Sequence, residues 1–193
     1  MKLNHPNYAR ERLPLLVVIW LDLLRYSLLS RSQLDKPCST LKIWLALFSP
    51  RTLPVTLFRL SHFFGNSRIR FLGKLLGCLN HLIFGLEISI SCRIGPGLFL
   101  PHTQGTVVGA WSIGSNVTIF QGVTIGARSL DFNPSPLTRP IIGDGVVIGA
   151  GAKVLGAVHL HDDCRVGANS VVLQDIPDGC LAVGAPARII SRT

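Results

Sequence analysis

Residues 142–171 read IGDGVV IGAGAK VLGAVH LHDDCR VGANSV, five consecutive sixes followed by Val172. Ile142, Ile148, Val154, Leu160, Val166 and Val172 stand at the same place in each. A smaller residue, Val146, Ala152, Val158, Cys164 or Ser170, precedes each new one by two positions. Upstream, Ile113, Ile119 and Ile125 keep the interval, with Val117 and Val123 in the second role. A period of six fits neither the 3.6 of an amphipathic helix nor the 2 of a simple strand. It suits a chain wound round a triangular prism, one short flat segment to each face. Such coils stack and bury one another's apolar residues, at the inter-strand spacing of about 4.8 Å.

From Glu87 the rhythm begins with Ile88, Ile94 and Leu100, slips by one residue before Val107, and runs on through Ile125. It halts over residues 127–141, a stretch holding Pro134, Pro136 and Pro140, and resumes at Ile142. A loop of this length inside a compact repeat is usually functional. After Val172 the rhythm fades into the turn Pro177-Asp178-Gly179. Ahead of the repeat, residues 8–31 and 55–84 read as helices, with a break at Gly65-Asn66-Ser67. Pro50 and Pro54 bound the connection before the second, and Gly85 ends it. The expected organisation is therefore an α-helical N-terminal region, residues 1–86, followed by a parallel β-coil over residues 87–193 with the loop 127–141 inserted.

The charge divides at the same place. Of a formal net charge of +9, residues 1–86 supply all, with 12 Lys+Arg against 3 Asp+Glu, while residues 87–193 hold 7 of each. Cys38, Cys78, Cys92, Cys164 and Cys180 are odd in number and contain no CxxC, which argues against a disulfide framework or a zinc site and for a reducing compartment. Leu13 to Ser30 is apolar, but Asp22 and Arg25 interrupt it short of the roughly 18–20 residues that a spanning helix needs. No small-residue cleavage site follows it as in a signal peptide. The basic, apolar helices are expected to bury their faces against each other and sister subunits, or to lie on an anionic membrane surface. Nucleic acid is not expected, because aromatic residues are not interleaved with the basic ones.

Phe58-Arg59-Leu60-Ser61-His62, Ile94-Gly95-Pro96-Gly97-Leu98, Pro101-His102-Thr103-Gln104-Gly105 and Val107-Val108-Gly109 follow one another in the order seen in a known family. Gln121-Gly122-Val123-Thr124-Ile125-Gly126, Gly149-Ala150-Gly151-Ala152-Lys153-Val154-Leu155-Gly156 and Gly184-Ala185-Pro186-Ala187-Arg188 continue the match. Over residues 55–190 the chain resembles bacterial serine acetyltransferases and related acyltransferases of the hexapeptide class. The resemblance implies a left-handed parallel β-helix, against the right-handed rule for parallel crossovers. It further implies acetyl-CoA as co-substrate with no metal, a homotrimer (or a dimer of trimers), and a cytoplasmic location, with or without peripheral contact at the inner membrane surface through residues 1–86. Ending at Thr193, the chain is expected to lack the tail by which such enzymes often dock on the next enzyme of cysteine synthesis.

Transfer of an acyl group to an alcohol needs the hydroxyl to lose its proton as it attacks. His102 matches the family's general base, and Glu87, fifteen residues upstream, its carboxylate partner, where Asp is usual. A carboxylate there holds the tautomer and stabilises the imidazolium. The family's second histidine before a proline is replaced by Arg139, a permanent cation that cannot act as a base but can bind a carboxylate or phosphate. Gly149, Ala150, Gly151 and Ala168 would admit the pantetheine arm closely, and Lys153 and Arg188 would meet phosphates. His159 and His161, beside Asp162 and Asp163, read as polar corner residues. The expected activity is serine O-acetylation in cysteine biosynthesis. Acetylation of a sugar hydroxyl in surface polysaccharide synthesis is one alternative, and a non-catalytic β-helix scaffold or membrane-surface module is another.

Overall fold

The computed structural model describes residues 13–30, 40–131 and 133–191. Four helices come first: α1 (Leu15–Leu29), α2 (Thr40–Leu45), α3 (Leu53–Gly65) and α4 (Arg70–Phe84), with a 3-10 turn, Ala46–Phe48, after α2. Of the helix expected over 8–31, residues 8–12 and 31 lie outside the described residues. The six-residue α2 was not anticipated, being too short to show a helical period. Pro54 sits in the first turn of α3, where a missing N–H breaks no intrahelical bond. Gly73 lets α4 press on α3: a Cβ there would stand 2.7 Å from the Ser61 carbonyl oxygen, and the Ser61 hydroxyl donates to the Gly73 carbonyl at 2.8 Å. Gly85, at φ 62°, ends α4 in the left-handed cap that glycine adopts without strain. Among the described residues no helix is long and apolar enough to cross a membrane.

The rest winds through three sheets. The first holds β1 (Leu86–Ile88), β3 (Thr106–Val108), β6 (Thr124–Gly126), β9 (Lys153–Leu155) and β12 (Val171–Val172). The second holds β2 (Arg93–Ile94), β4 (Ser112–Ile113), β7 (Ile141–Ile142) and β10 (His159–Leu160). The third holds β5 (Thr118–Ile119), β8 (Val147–Ile148), β11 (Arg165–Val166) and β13 (Leu181–Gly184), closed by β14 (Ala187–Ile190). From β4 to β12 the chain visits second, third and first sheet in rotation, and pairing is parallel throughout except between β13 and β14. The six-residue positions stack: Ile113 on Ile142 on Leu160, Ile119 on Ile148 on Val166, Ile125 on Val154 on Val172. None is more than 3% exposed, and Val146, Ala152, Val158, Cys164 and Ser170 are buried between them. The inserted loop is one residue shorter than expected, since Ile141 already pairs in β7.

The slip in the rhythm is larger than expected. Val108, 1% exposed, is the residue in register with Ile125, while Val107 is 38% exposed and points outward. The inward positions thus run from Leu100 to Val108, an interval of eight, and from Val108 to Ile113, an interval of five. Two adjacent valines look alike in a hydrophobic pattern, but one residue of register reverses which of them is buried. The added length falls in the turn between Leu100 and β3, which carries His102.

Three charged side chains bind the helices to the coil. Arg59 on α3 meets Asp22 on α1 at 2.9 Å, both side chains 7% exposed. The Arg59 guanidinium also donates to the carbonyls of Ile94 (2.6 Å) and Gly95 (2.7 Å). Asp22 accepts the backbone N–H groups of Gly97 (2.6 Å) and Leu98 (2.9 Å). Arg25, one turn on, donates to the carbonyls of Gly97 and Val117 and to the Thr118 hydroxyl. The charges that interrupt the apolar run of α1 are therefore its attachment to the first two coils.

Burial pushes the thiols of Cys92 and Cys164 up to about 12 from 9.0. An unfolded chain would release these protons near pH 9.0 while the folded protein keeps them to about 12, so unfolding free energy falls as pH rises across that window. Urea midpoints between those limits should decline more steeply for the wild type than for a Cys92→Ala/Cys164→Ala variant. Equal slopes would contradict the assignment.

Candidate active site

The turn Pro101-His102-Thr103-Gln104-Gly105 rests on the junction between α4 and β1. The Thr103 hydroxyl donates to the Phe84 carbonyl at 2.8 Å, and the Gly105 amide to the Gly85 carbonyl at 3.0 Å. The left-handed cap of α4 is thus also the first rung under this turn. Thr103 and Thr106 are buried, and His102 between Pro101 and Thr103 is exposed. Glu87 lies two residues beyond Gly85 and points outward from β1, where Leu86 is fully buried. Among the described residues no hydrogen bond or ion pair reaches the side chain of either His102 or Glu87.

Glu87 begins a continuous outward row across the first sheet: Glu87 beside Val107, Val107 beside Thr124, Thr124 beside Lys153, Lys153 beside Val171. Three inter-strand steps separate Glu87 from Lys153, about 14 Å. The Lys153 ammonium is held down on the sheet, donating to the Gly122 carbonyl at 2.7 Å and the Thr124 hydroxyl at 3.1 Å. At the corner entering this sheet the amides of Gly122, Gly151 and Asn169 donate to the carbonyls of Gln104, Gln121 and Ala150. The corner therefore stacks the His102 turn, Gly149-Ala150-Gly151 and Ala168 along one edge. A Cβ on Gly149 would lie 2.7 Å from the Ala168 nitrogen. The space at Gly149 is thus filled by the next coil, which gives this glycine a stacking role.

Arg139 reaches the same outward face from the loop. Gly109, two residues after Val107, shares its side of the sheet, about 7 Å along. A Cβ there would meet the Arg139 guanidinium at 2.5 Å, so glycine makes room for the arginine. That guanidinium donates to the Gly109 carbonyl at 3.1 Å and to the Asp131 carboxylate at 2.6 Å. Asp131 also accepts from the Thr138 hydroxyl at 2.9 Å and the Asn133 amide at 3.0 Å. The hydrogen bond from Arg139 is the main cause holding its carboxyl below the usual range. Asp131 was missed by the sequence reading; its only signal was being the one acid in the loop. Arg188, the remaining expected site residue, stands exposed on β14 opposite Val183 and is not brought to this row.

The corner between the second and third sheets is polar and self-satisfied. Asp144, Asp162 and Asp178 each accept a backbone amide from the preceding coil, those of Ser115 (2.6 Å), Asp144 (2.7 Å) and Asp162 (2.9 Å). His159 stacks on His161 with ring centroids 3.9 Å apart. Among the described residues no group of three or more His, Cys, Asp or Glu side chains is placed to hold a metal ion.

The chain is similar to known proteins. The bacterial transferase hexapeptide (six repeats) family matches residues 139–174. A serine acetyltransferase of Helicobacter pylori (strain J99) is 41% identical over 170 residues, covering 88% of this chain and 97% of that one. Soybean serine acetyltransferase complexed with serine superposes with a TM-score of 0.76 at 33% identity, over 91% of this chain and 69% of that one. A serine acetyltransferase in complex with CoA superposes with a TM-score of 0.76 at 28% identity, with the same coverage.

Proposed function

This chain belongs to the serine acetyltransferase family, and from that membership we propose that it transfers the acetyl group of acetyl-CoA to the hydroxyl of L-serine, giving O-acetylserine and free CoA in cysteine biosynthesis. The observation that carries this is the likeness to the Helicobacter pylori enzyme along almost the whole of both chains. The hexapeptide match and the rotation of parallel strands support reading the coil as a left-handed β-helix over residues 87–193, with residues 1–86 as a separate helical region. In that reading the enzyme is a cytoplasmic homotrimer, or a dimer of trimers.

His102 removes the serine hydroxyl proton as the oxygen attacks the thioester carbonyl. The new C–O bond forms, the C–S bond breaks, and the proton passes from the imidazole to the departing thiolate. Glu87 holds the imidazole by its other nitrogen. Both side chains stand open in the free protomer, and catalytic hydrogen bonds of this kind commonly tighten only around bound substrate. A neutral alcohol is a poor nucleophile, so the base lowers the barrier where charge develops. Lys153, Ala150 and Ala168 are assigned to CoA, with the glycines between them keeping the corner narrow. The chemistry assigned here needs no metal.

Arg139 is assigned to the acceptor carboxylate. To take it, the guanidinium exchanges Asp131 for substrate or bridges both. Charge-assisted hydrogen bonds contribute about 1.5–3 kcal/mol, so Arg139→Met should raise the KM for serine roughly ten- to hundredfold and leave that for acetyl-CoA nearly unchanged. An unaltered serine KM would remove Arg139 from the site.

The direct test is free thiol release from acetyl-CoA in the presence of serine, homoserine and candidate sugars. Serine-dependent release is expected. Turnover with a sugar hydroxyl and none with serine would replace this reading by polysaccharide acetylation, and no turnover with any acceptor would leave a scaffold.

A further inference from the structure

The outward side of α4 is apolar and has no partner in the protomer. Gly73 and Asn80 mark the side that packs on α3, the Asn80 amide donating to the Pro54 carbonyl at 2.9 Å. At about 100° per residue, Phe71, Leu75, Cys78 and Leu82 form the opposite stripe, at i, i+4, i+7 and i+11. Phe71 is 77% and Leu82 73% exposed, and Leu79 and Ile83 widen the stripe on one flank. On the other flank run Arg70, Lys74 and His81, a basic stripe parallel to the apolar one.

No acidic residue occurs between Lys36 and Leu86. Asp22 is buried against Arg59, and the next acid along the chain, Glu87, stands three residues beyond the end of α4 on β1. The charges that α4 itself carries are therefore of one sign. A second copy meeting this face with its own would add only like charge.

We propose that the outward face of α4 seats the protein on an anionic lipid surface. The helix lies in the plane of the interface, since it is too short to cross. Phe71, Leu75 and Leu82 enter the boundary between headgroups and acyl chains, and Arg70 and Lys74 meet the phosphates, the geometry of an interfacial amphipathic helix. This surface is separate from the His102 turn, so the proposal stands or falls independently of acetyl transfer.

The test is co-sedimentation of the full chain with vesicles of mixed phosphatidylglycerol and phosphatidylcholine, and with phosphatidylcholine alone. Binding is expected to the mixed vesicles only, and to weaken as salt is added. At about 1 kcal/mol for each basic side chain near such a surface, Arg70→Gln/Lys74→Gln should weaken partitioning about thirtyfold, and Phe71→Asn/Leu82→Asn should abolish it. Urea unfolding midpoints of the variants, compared with that of the wild type, check that they fold. No sedimentation with the mixed vesicles, or sedimentation undiminished in both variants, overturns the proposal. A particle mass that falls in the Phe71→Asn/Leu82→Asn variant without vesicles also overturns it, because the face then joins two copies of the chain.

Discussion

Replacing His102 by alanine is expected to lower kcat for acetyl transfer by roughly 10²–10⁴-fold, the usual contribution of a positioned general base, with little change in the KM for acetyl-CoA. His102 is exposed on a turn anchored at Thr103 and Gly105, so its loss should leave the fold intact and the unfolding midpoint unmoved. Glu87→Gln should also lower kcat steeply, because an amide no longer stabilises the imidazolium and can hold the base in the wrong tautomer. Single-turnover measurements of thiol release, beside urea unfolding of each variant, separate chemistry from stability. Wild-type turnover by His102→Ala would sink the catalytic assignment.

The largest effect on stability is expected at Asp22 and Arg59. Asp22→Asn or Arg59→Met leaves one buried charge without its partner, which typically costs about 3–5 kcal/mol. Total stabilities are only about 5–15 kcal/mol, so either change should leave the helices detached or the chain largely unfolded at moderate urea. Replacing a buried ion pair with two apolar residues often restores stability. That recovery should be incomplete here. Asp22 also serves the amides of Gly97 and Leu98, and Arg59 the carbonyls of Ile94 and Gly95. An Asp22→Leu/Arg59→Met variant leaves those backbone groups unpaired, and an unmet buried group costs about 1–3 kcal/mol. Urea midpoints of both single variants and the double variant measure this. Full recovery in the double variant would show that the backbone contacts contribute little.

Much of the coil was legible because its rule is local. Each six-residue position packs against the same position one coil away, so Ile142, Ile148 and Val154 announce their burial without knowledge of distant residues. His102 and Glu87 were singled out on another ground, the resemblance of their motifs to those of a known family, which the repeat by itself does not supply. What failed was discrimination between neighbours of like character. Val107 was read as inward and Val108 takes that place, because periodicity counts apolar residues and cannot weigh two valines against each other. The short α2 escaped notice because six residues are less than two turns of any helical pattern.

By itself the sequence determined a stack of three-faced coils, a helical region before it, an interruption between Gly126 and Ile141, and a histidine at the turn where the rhythm breaks. Only the tertiary structure decided that Asp22 and Arg25 hold the helices to the coil, that Asp131 occupies Arg139, and that Gly149 makes room for the next coil. These contacts join residues far apart in the chain. Their energies come from desolvated charge and from close approach of separate segments, neither of which leaves a period in the sequence. A repeat records what each residue shares with its neighbour one coil on, and a buried ion pair between α1 and α3 has no such neighbour.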